Sequence, residues 1–115
     1  MKEKIFEIVE KIKELEIEVM ELAEKKEDFQ KVQSEIENGY KAEIENAVDE
    51  NGKPLYSNAL KREVALNKKL SDDPKWEKKG DKIKGFQREL GLKRIDLSYE
   101  HNMFRAYEII SKMGE

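Results

Sequence analysis

The chain has 115 residues, 43% of them charged and 37% apolar, with two prolines, no cysteine and a formal net charge of −3. That length bounds it at one domain, and so polar a composition suits long solvated helices better than a thick core. Without cysteine there are no disulfide staples and no thiolate metal sites, which agrees with a reducing compartment. The residues from Met1 to Glu10 alternate charged and apolar side chains. They fit neither a signal peptide nor a membrane span, so the expectation is a cytoplasmic protein that makes no use of a membrane.

The first 48 residues carry apolar side chains at Ile5, Ile8, Ile12, Leu15, Val19, Leu22, Phe29, Ile36 and Tyr40. Steps of three and four averaging 3.5 keep one narrow seam facing a partner helix, whereas an ordinary helix drifts with a 3.6 period. This spacing predicts a coiled-coil helix over 2–48. The seam passes through Lys26 and Gln33, while Val32 and Ile44 stand one step off it. Polar residues on a seam cost stability and fix alignment, so they either select the partner or mark a solvated break. Gly39, beside Asn38, predicts a bend more than an end, because Tyr40 and Ile44 continue the pattern.

The stop falls at Asp49-Glu50-Asn51-Gly52-Lys53-Pro54. Asn and Gly accept the left-handed backbone that closes a helix, and proline forbids immediate resumption. After this turn at 49–56, Ser57 or Asn58 can cap a second helix over 57–71, with Leu60, Val64, Ala65 and Leu70 as its apolar face and Leu66 on its flank. Asp72-Asp73-Pro74 reads as a fresh start, with a carboxylate cap and a proline in the first turn. It predicts a third helix over 73–113, softened by Gly80, Gly85 and Gly91.

The third helix carries two apolar series. One is Ile83, Phe86, Leu90, Leu97 and Phe104; the other is Leu92, Ile95, Tyr99, Met103, Ala106, Ile110 and Met113. At 100° per residue they point to different sides. One can face the first helix, and the other needs a further neighbour. The expected fold is therefore all-α, a long antiparallel helical hairpin with a broken second arm that assembles into an oligomeric helical bundle, with Leu92, Ile95, Tyr99, Met103, Ala106 and Ile110 as the self-association stripe. The alternative is a monomeric three-helix bundle in which the second helix covers that stripe.

Charge is unevenly spread. Residues 1–50 hold 16 acidic and 8 basic side chains, and residues 61–94 hold 12 basic and 6 acidic. Either the acidic arm lies against the basic one, or Lys61, Arg62, Lys68, Lys69, Lys75, Lys78, Lys79, Lys82, Lys84, Arg88, Lys93 and Arg94 form a sequence-insensitive face for nucleic acid. Trp76 and Phe86 would be the stacking aromatics there, but both sit where a helix wants apolar contacts. His101, flanked by Glu100 and Asn102 with Ser98 one turn earlier, lacks the carboxylate pair of an acid–base site. Gly52-Lys53 has no upstream glycine for a phosphate loop, and no His-x-x-x-His or Glu-x-x-His pair offers a metal site. The reading is a protein without catalytic residues, metal or cofactor. Met20, Met103 and Met113 read as core filling before adaptable contact surface.

The loop Gly52-Lys53-Pro54-Leu55-Tyr56-Ser57-Asn58 followed by Arg62, with Leu70-x-x-Asp73-x-x-Trp76 and Phe104-Arg105-Ala106, resembles a group of small coiled-coil proteins of bacteriophages and integrated mobile elements, mostly of Gram-positive bacteria. The likeness covers most of the chain. It departs at Ala59, where the group usually shows an acidic residue, and in the glycine content of the third helix. Members generally lack assigned activities, so the resemblance implies a setting, the cytoplasm of a host cell, more than a mechanism.

Physically, Gly52 permits the reversal, Ser57 and Asn58 satisfy free amides, Arg62 reaches back to the carbonyls ending helix one, and Tyr56 covers the tip. In the functional version, Lys53, Tyr56, Asn58 and Arg62 form a partner-binding tip. The leading expectation is a non-enzymatic, self-associating protein that binds a macromolecular partner; in a phage setting the natural targets are a host nuclease or a CRISPR-type defence complex. Its acidic surface of Glu14, Glu18, Glu21, Glu24 and Asp28, joined by Glu16 and Glu27, would compete for a site that normally holds nucleic acid. The alternative is a DNA-binding accessory protein of replication or recombination, contacting DNA through Lys68, Lys69, Lys75, Lys78, Lys79, Lys82 and Arg88.

Overall fold

The computed structural model describes residues 2–114, which form three helices: α1 (Lys2–Asn46), α2 (Ala59–Ser71) and α3 (Pro74–Met113). Outside them, Val48 and Pro54 form an isolated bridge. The class is all-α, and within each part described below α1 and α3 run antiparallel.

Each boundary has a local cause. α1 stops two residues earlier than its periodicity suggests because the Asp49 carboxylate accepts from the backbone amides of Asn51 (2.8 Å) and Lys53 (3.0 Å). The Asp49 amide bonds the Lys53 carbonyl at 2.8 Å, and the Leu55 amide bonds Ala47 at 3.0 Å. These bonds satisfy backbone groups in a tight turn that a continued helix would have used itself. Gly52 sits at φ 76°, a left-handed position that other residues adopt at a steric cost. The Asn58 side chain accepts from the Lys61 amide at 2.9 Å and caps α2, which therefore opens at Ala59 and not at Ser57. Asp73 stands outside α3, its carboxylate accepting from the amides of Lys75 and Trp76, with Pro74 at the first helical position. α3 runs unbroken through Gly80, Gly85 and Gly91.

The chain packs as two compact units, one of residues up to 26 with those from 85 onward, the other of residues 27–84. The division falls at Lys26, the lysine on the α1 seam, and beside Gly85.

In the first unit, Ile8 and Leu15 of α1 and Leu90 of α3 are buried, with Ile5, Ile12, Val19, Leu22, Phe86, Leu97, Phe104 and Tyr107 half-buried around them. Lys11 pairs with Glu100 at 3.6 Å and Glu18 with Lys93 at 2.9 Å. Seven residues forward on α1 match seven back on α3, the one-heptad step of an antiparallel coiled coil.

In the second unit, Ile44, Leu70 and Ile83 are buried. Gln33 Nε2 donates to the Trp76 carbonyl at 3.3 Å, and the Tyr40 hydroxyl donates to Asp73 Oδ2 at 2.5 Å. Lys69 of α2 pairs with Glu43 at 3.4 Å, which places α2 along the last turns of α1. Ile44, one step off the seam by sequence, is only 3% exposed. Inward positions here step by four from Tyr40 to Ile44 and by three to Ala47, a register shift toward ordinary helical drift where α1 also faces α2. The face of α2 differs from expectation too. Leu70 is buried and Ala65 and Leu66 are half-buried, while Leu60 and Val64 point to solvent.

Candidate interaction surfaces

Among the described residues no cluster of three or more His, Asp or Glu side chains is placed to hold a metal ion. His101, Ser98 and Asn102 are exposed, and Glu100, the buried neighbour, faces Lys11. What the fold presents is surface.

The turn residues are occupied with the turn itself. Asn58 caps α2, the Lys53 backbone is bonded twice to Asp49, and Arg62 donates to the Tyr56 carbonyl at 3.4 Å. Arg62 thus reaches the segment before α2 and not the carbonyls ending α1. The charged ends of Lys53 and Arg62 remain exposed, and Tyr56 is half-buried.

Glu14, Glu18, Glu21, Glu24 and Asp28 are all exposed. Glu14 and Glu21, seven apart, share one flank of α1 in the first unit, with Glu18 beside them and Glu24 a step away, while Asp28 belongs to the second unit. Glu18 is engaged with Lys93, and that carboxylate raises the lysine above its usual pKa through its hydrogen bond and charge.

The basic segment is partly spent inside the fold. Lys69 pairs with Glu43 and stands 5.8 Å from the Tyr40 ring centroid, Lys79 lies 4.6 Å over Phe29, and Lys93 holds Glu18. Acidic and basic arms therefore do meet. Lys68, Lys75, Lys78, Lys82 and Arg88 are exposed, and Lys75, Lys78 and Lys82 share one side of α3. Trp76 and Phe86 are half-buried on the inner face of α3.

The two apolar series of α3 separate cleanly. Ile83 and Leu90 are buried, with Phe86, Leu97 and Phe104 half-buried; Leu92, Ile95, Tyr99, Ala106, Ile110 and Met113 are exposed, Ile95 at 67% and Met113 at 80%. Met103 is half-buried at the edge of this stripe, in a shallow hollow of about 340 Å³ shared with Tyr99, Glu100 and Tyr107 of α3 and with Lys4, Glu7, Ile8 and Lys11 of α1.

Two features escape the sequence reading. Leu55, Tyr56, Leu60, Val64 and Ala65, with Lys61 and Lys68, line a shallow groove of about 670 Å³. Phe6, Val9 and Ile17 are exposed on α1, away from its seam, and so is Met20, which like Met113 was expected to fill the core but stands in solvent because neither lies on a packed face. The second was open to detection, since Phe6, Val9 and Ile17 sit off the 3.5-residue series. The first depends on which way α2 turns, which the pattern of a 13-residue helix does not decide.

One polar contact ties α1 to the α2–α3 link. The hydrogen bond from Tyr40 holds the Asp73 carboxyl below its ordinary pKa, helped by the Lys75 and Trp76 amides, and Asp73 in turn raises the Tyr40 hydroxyl. Compared with known protein families, curated proteins and solved structures, the chain matches none of them.

Proposed function

We propose that this chain is a non-catalytic coiled-coil interaction protein that associates with further copies of itself through the exposed stripe of α3 and offers the acidic flank of α1 to a protein partner. The observation that carries the reading is the stripe: five large apolar side chains, Leu92, Ile95, Tyr99, Ile110 and Met113, each at least half exposed along one side of one helix. Contiguous apolar surface of more than a few hundred Å² is uncommon on a monomer and marks an interface. At about 25 cal/mol per Å² removed from water, its burial supplies the driving force that the thin seam alone does not use.

Glu14, Glu18 and Glu21, on one flank of α1, form a negative strip that suits a cationic surface such as a nucleic-acid-binding groove. With the resemblance of the loop to phage and mobile-element proteins, this favours an inhibitor or organiser of a host nuclease or CRISPR-type effector, acting in the host cytoplasm. The test of self-association is the solution mass of the chain beside that of Ile95→Glu/Tyr99→Glu, which keeps the seam and loses the stripe. A fall to monomer mass supports the reading, and equal masses refute it.

A second reading, DNA binding, draws on the exposed Lys75, Lys78, Lys82 and Arg88. It carries less weight because Lys69, Lys79 and Lys93 are committed within the fold. A salt-sensitive mobility shift of a short duplex, lost in Lys75→Glu/Lys78→Glu/Lys82→Glu, would favour it.

A further inference from the structure

We propose that the first unit is a clasp that opens ahead of the second: its two arms, α1 up to residue 26 and α3 from residue 85, part from each other while residues 27–84 stay folded. The order follows from how the chain is connected. The second unit is one continuous stretch, whereas the first is two segments joined only through it. If residues 27–84 unfolded first, the closed arms would tie off a loop of 58 residues; if the arms part first, no loop forms. With the second unit folded, Lys79 lies 4.6 Å over Phe29, and along the chain these two stand only three residues from Lys26 and six from Gly85. Closure across so short a span is favoured over closure across the whole loop by roughly tenfold, because the entropic cost grows with the logarithm of loop length.

Packing points the same way. The second unit buries one side chain from each of the three helices, Ile44, Leu70 and Ile83. Tyr40 donates to Asp73, Gln33 donates to the Trp76 carbonyl, and Lys69 pairs with Glu43. The first unit buries Ile8, Leu15 and Leu90 along a seam of two helices. Its pairs Lys11–Glu100 and Lys93–Glu18 rest on lysines that are 63% and 38% exposed, and ion pairs open to water add little. Each helix is also weak where it passes from one unit to the other. α1 carries Lys26 on its apolar seam, and α3 carries Gly85, a poor helix former at which an added Cβ would meet nothing within 4 Å.

The acidic flank at Glu14, Glu18 and Glu21 and the apolar stripe from Leu92 to Met113 both lie on the arms. Opening therefore frees Ile8, Leu15 and Leu90 beside them, while the turn and α2 keep their fold. None of this rests on association through the stripe.

Amide hydrogen exchange resolved along the chain tests the order of opening. It is measured on the native chain and on Ile95→Glu/Tyr99→Glu, and the decision is taken in the latter, where protection by association through α3 is removed. The expected result is exchange roughly tenfold faster in residues 8–22 and 88–104 than in residues 33–44 and 78–83. Added Leu90→Ala should speed exchange in both units by about thirtyfold, since unfolding of the second unit includes opening of the arms. Where Leu90→Ala is not helical by circular dichroism, Ile8→Val replaces it, with an effect of about threefold in both units. Ile44→Val should speed exchange about threefold in residues 27–84 alone, because the arms already open without that unit.

Equal rates in the two units overturn the proposal, and so does faster exchange in the second. An Ile44→Val effect of the same size in the arms would show one cooperative fold, with no clasp. An effect of the arm variant confined to the arms would show two units that open independently, and the proposed order would fall.

Discussion

Single polar side chains hold the helices in alignment. A seam of Ile and Leu alone would tolerate a shift by one heptad, but Gln33 must find the Trp76 carbonyl, Tyr40 must find Asp73, and Lys11 and Glu18 must find Glu100 and Lys93. Polar partners at such positions specify register at some cost in stability. Lys26 and Gln33 are legible from sequence as breaks in the apolar series. Their partners are not, because a carbonyl or carboxylate more than 30 residues away leaves no local signal. The Tyr40–Asp73 pair also sets a pH window. Asp73 has a depressed pKa in the fold, so its contribution is present above the ordinary aspartate range near pH 4 and is lost as pH falls through the lower folded value. Tyr40 has a raised pKa, so its contribution is present below about pH 10 and is lost as pH rises through the higher folded value. Urea midpoints measured from pH 2 to 11 should therefore fall at both ends, and in Tyr40→Phe they should be lower between about pH 4 and 10 and flatter at each edge. Parallel curves for the two proteins would contradict this role.

At the scale of elements, the helices were readable because their periods and punctuation agree: Gly52, Asn58, Asp73 and Pro74 stand where a turn, two caps and a first helical residue need them. The misreadings lie where tertiary neighbours decide. Ile44 is drawn inward beside α2, and α2 turns Leu60 and Val64 outward while burying Leu70. α3 also runs through the three glycines expected to soften it. A Cβ at Gly85 or Gly91 meets nothing within 4 Å, whereas at Gly80 it would come within 3.2 Å of Gln33 Nε2. Gly85→Ala and Gly91→Ala should each stabilise the chain by about 0.5–1 kcal/mol in urea unfolding, and Gly80→Ala should gain less because Gln33 must shift. In the opposite direction, Leu90 is 2% exposed at the centre of the seam. Leu90→Ala should cost about 2–4 kcal/mol, whereas Asn58→Ala, which removes a cap, should cost about 1 kcal/mol. A smaller loss for Leu90→Ala than for Asn58→Ala would mean that the seam is not the core.

Taken whole, the molecule spends one apolar series of α3 on α1 and leaves the other in solvent. The division of α3 into two stripes was legible, since it follows from helical geometry. The exposure of the second does not follow from the sequence, which also allows the 13-residue α2 to cover that stripe. The partner side of the acidic flank has no signature in the sequence, which records the charge of α1 but not the shape it meets. The most direct measurement is light scattering after size exclusion on the native chain and on Ile95→Glu/Tyr99→Glu, at low and high salt. Association through the α3 stripe gives a mass of two or more chains for the native protein that persists at high salt, as apolar burial should, and a monomer mass for the variant. A native chain that elutes as a 13.6 kDa monomer under both conditions would contradict it.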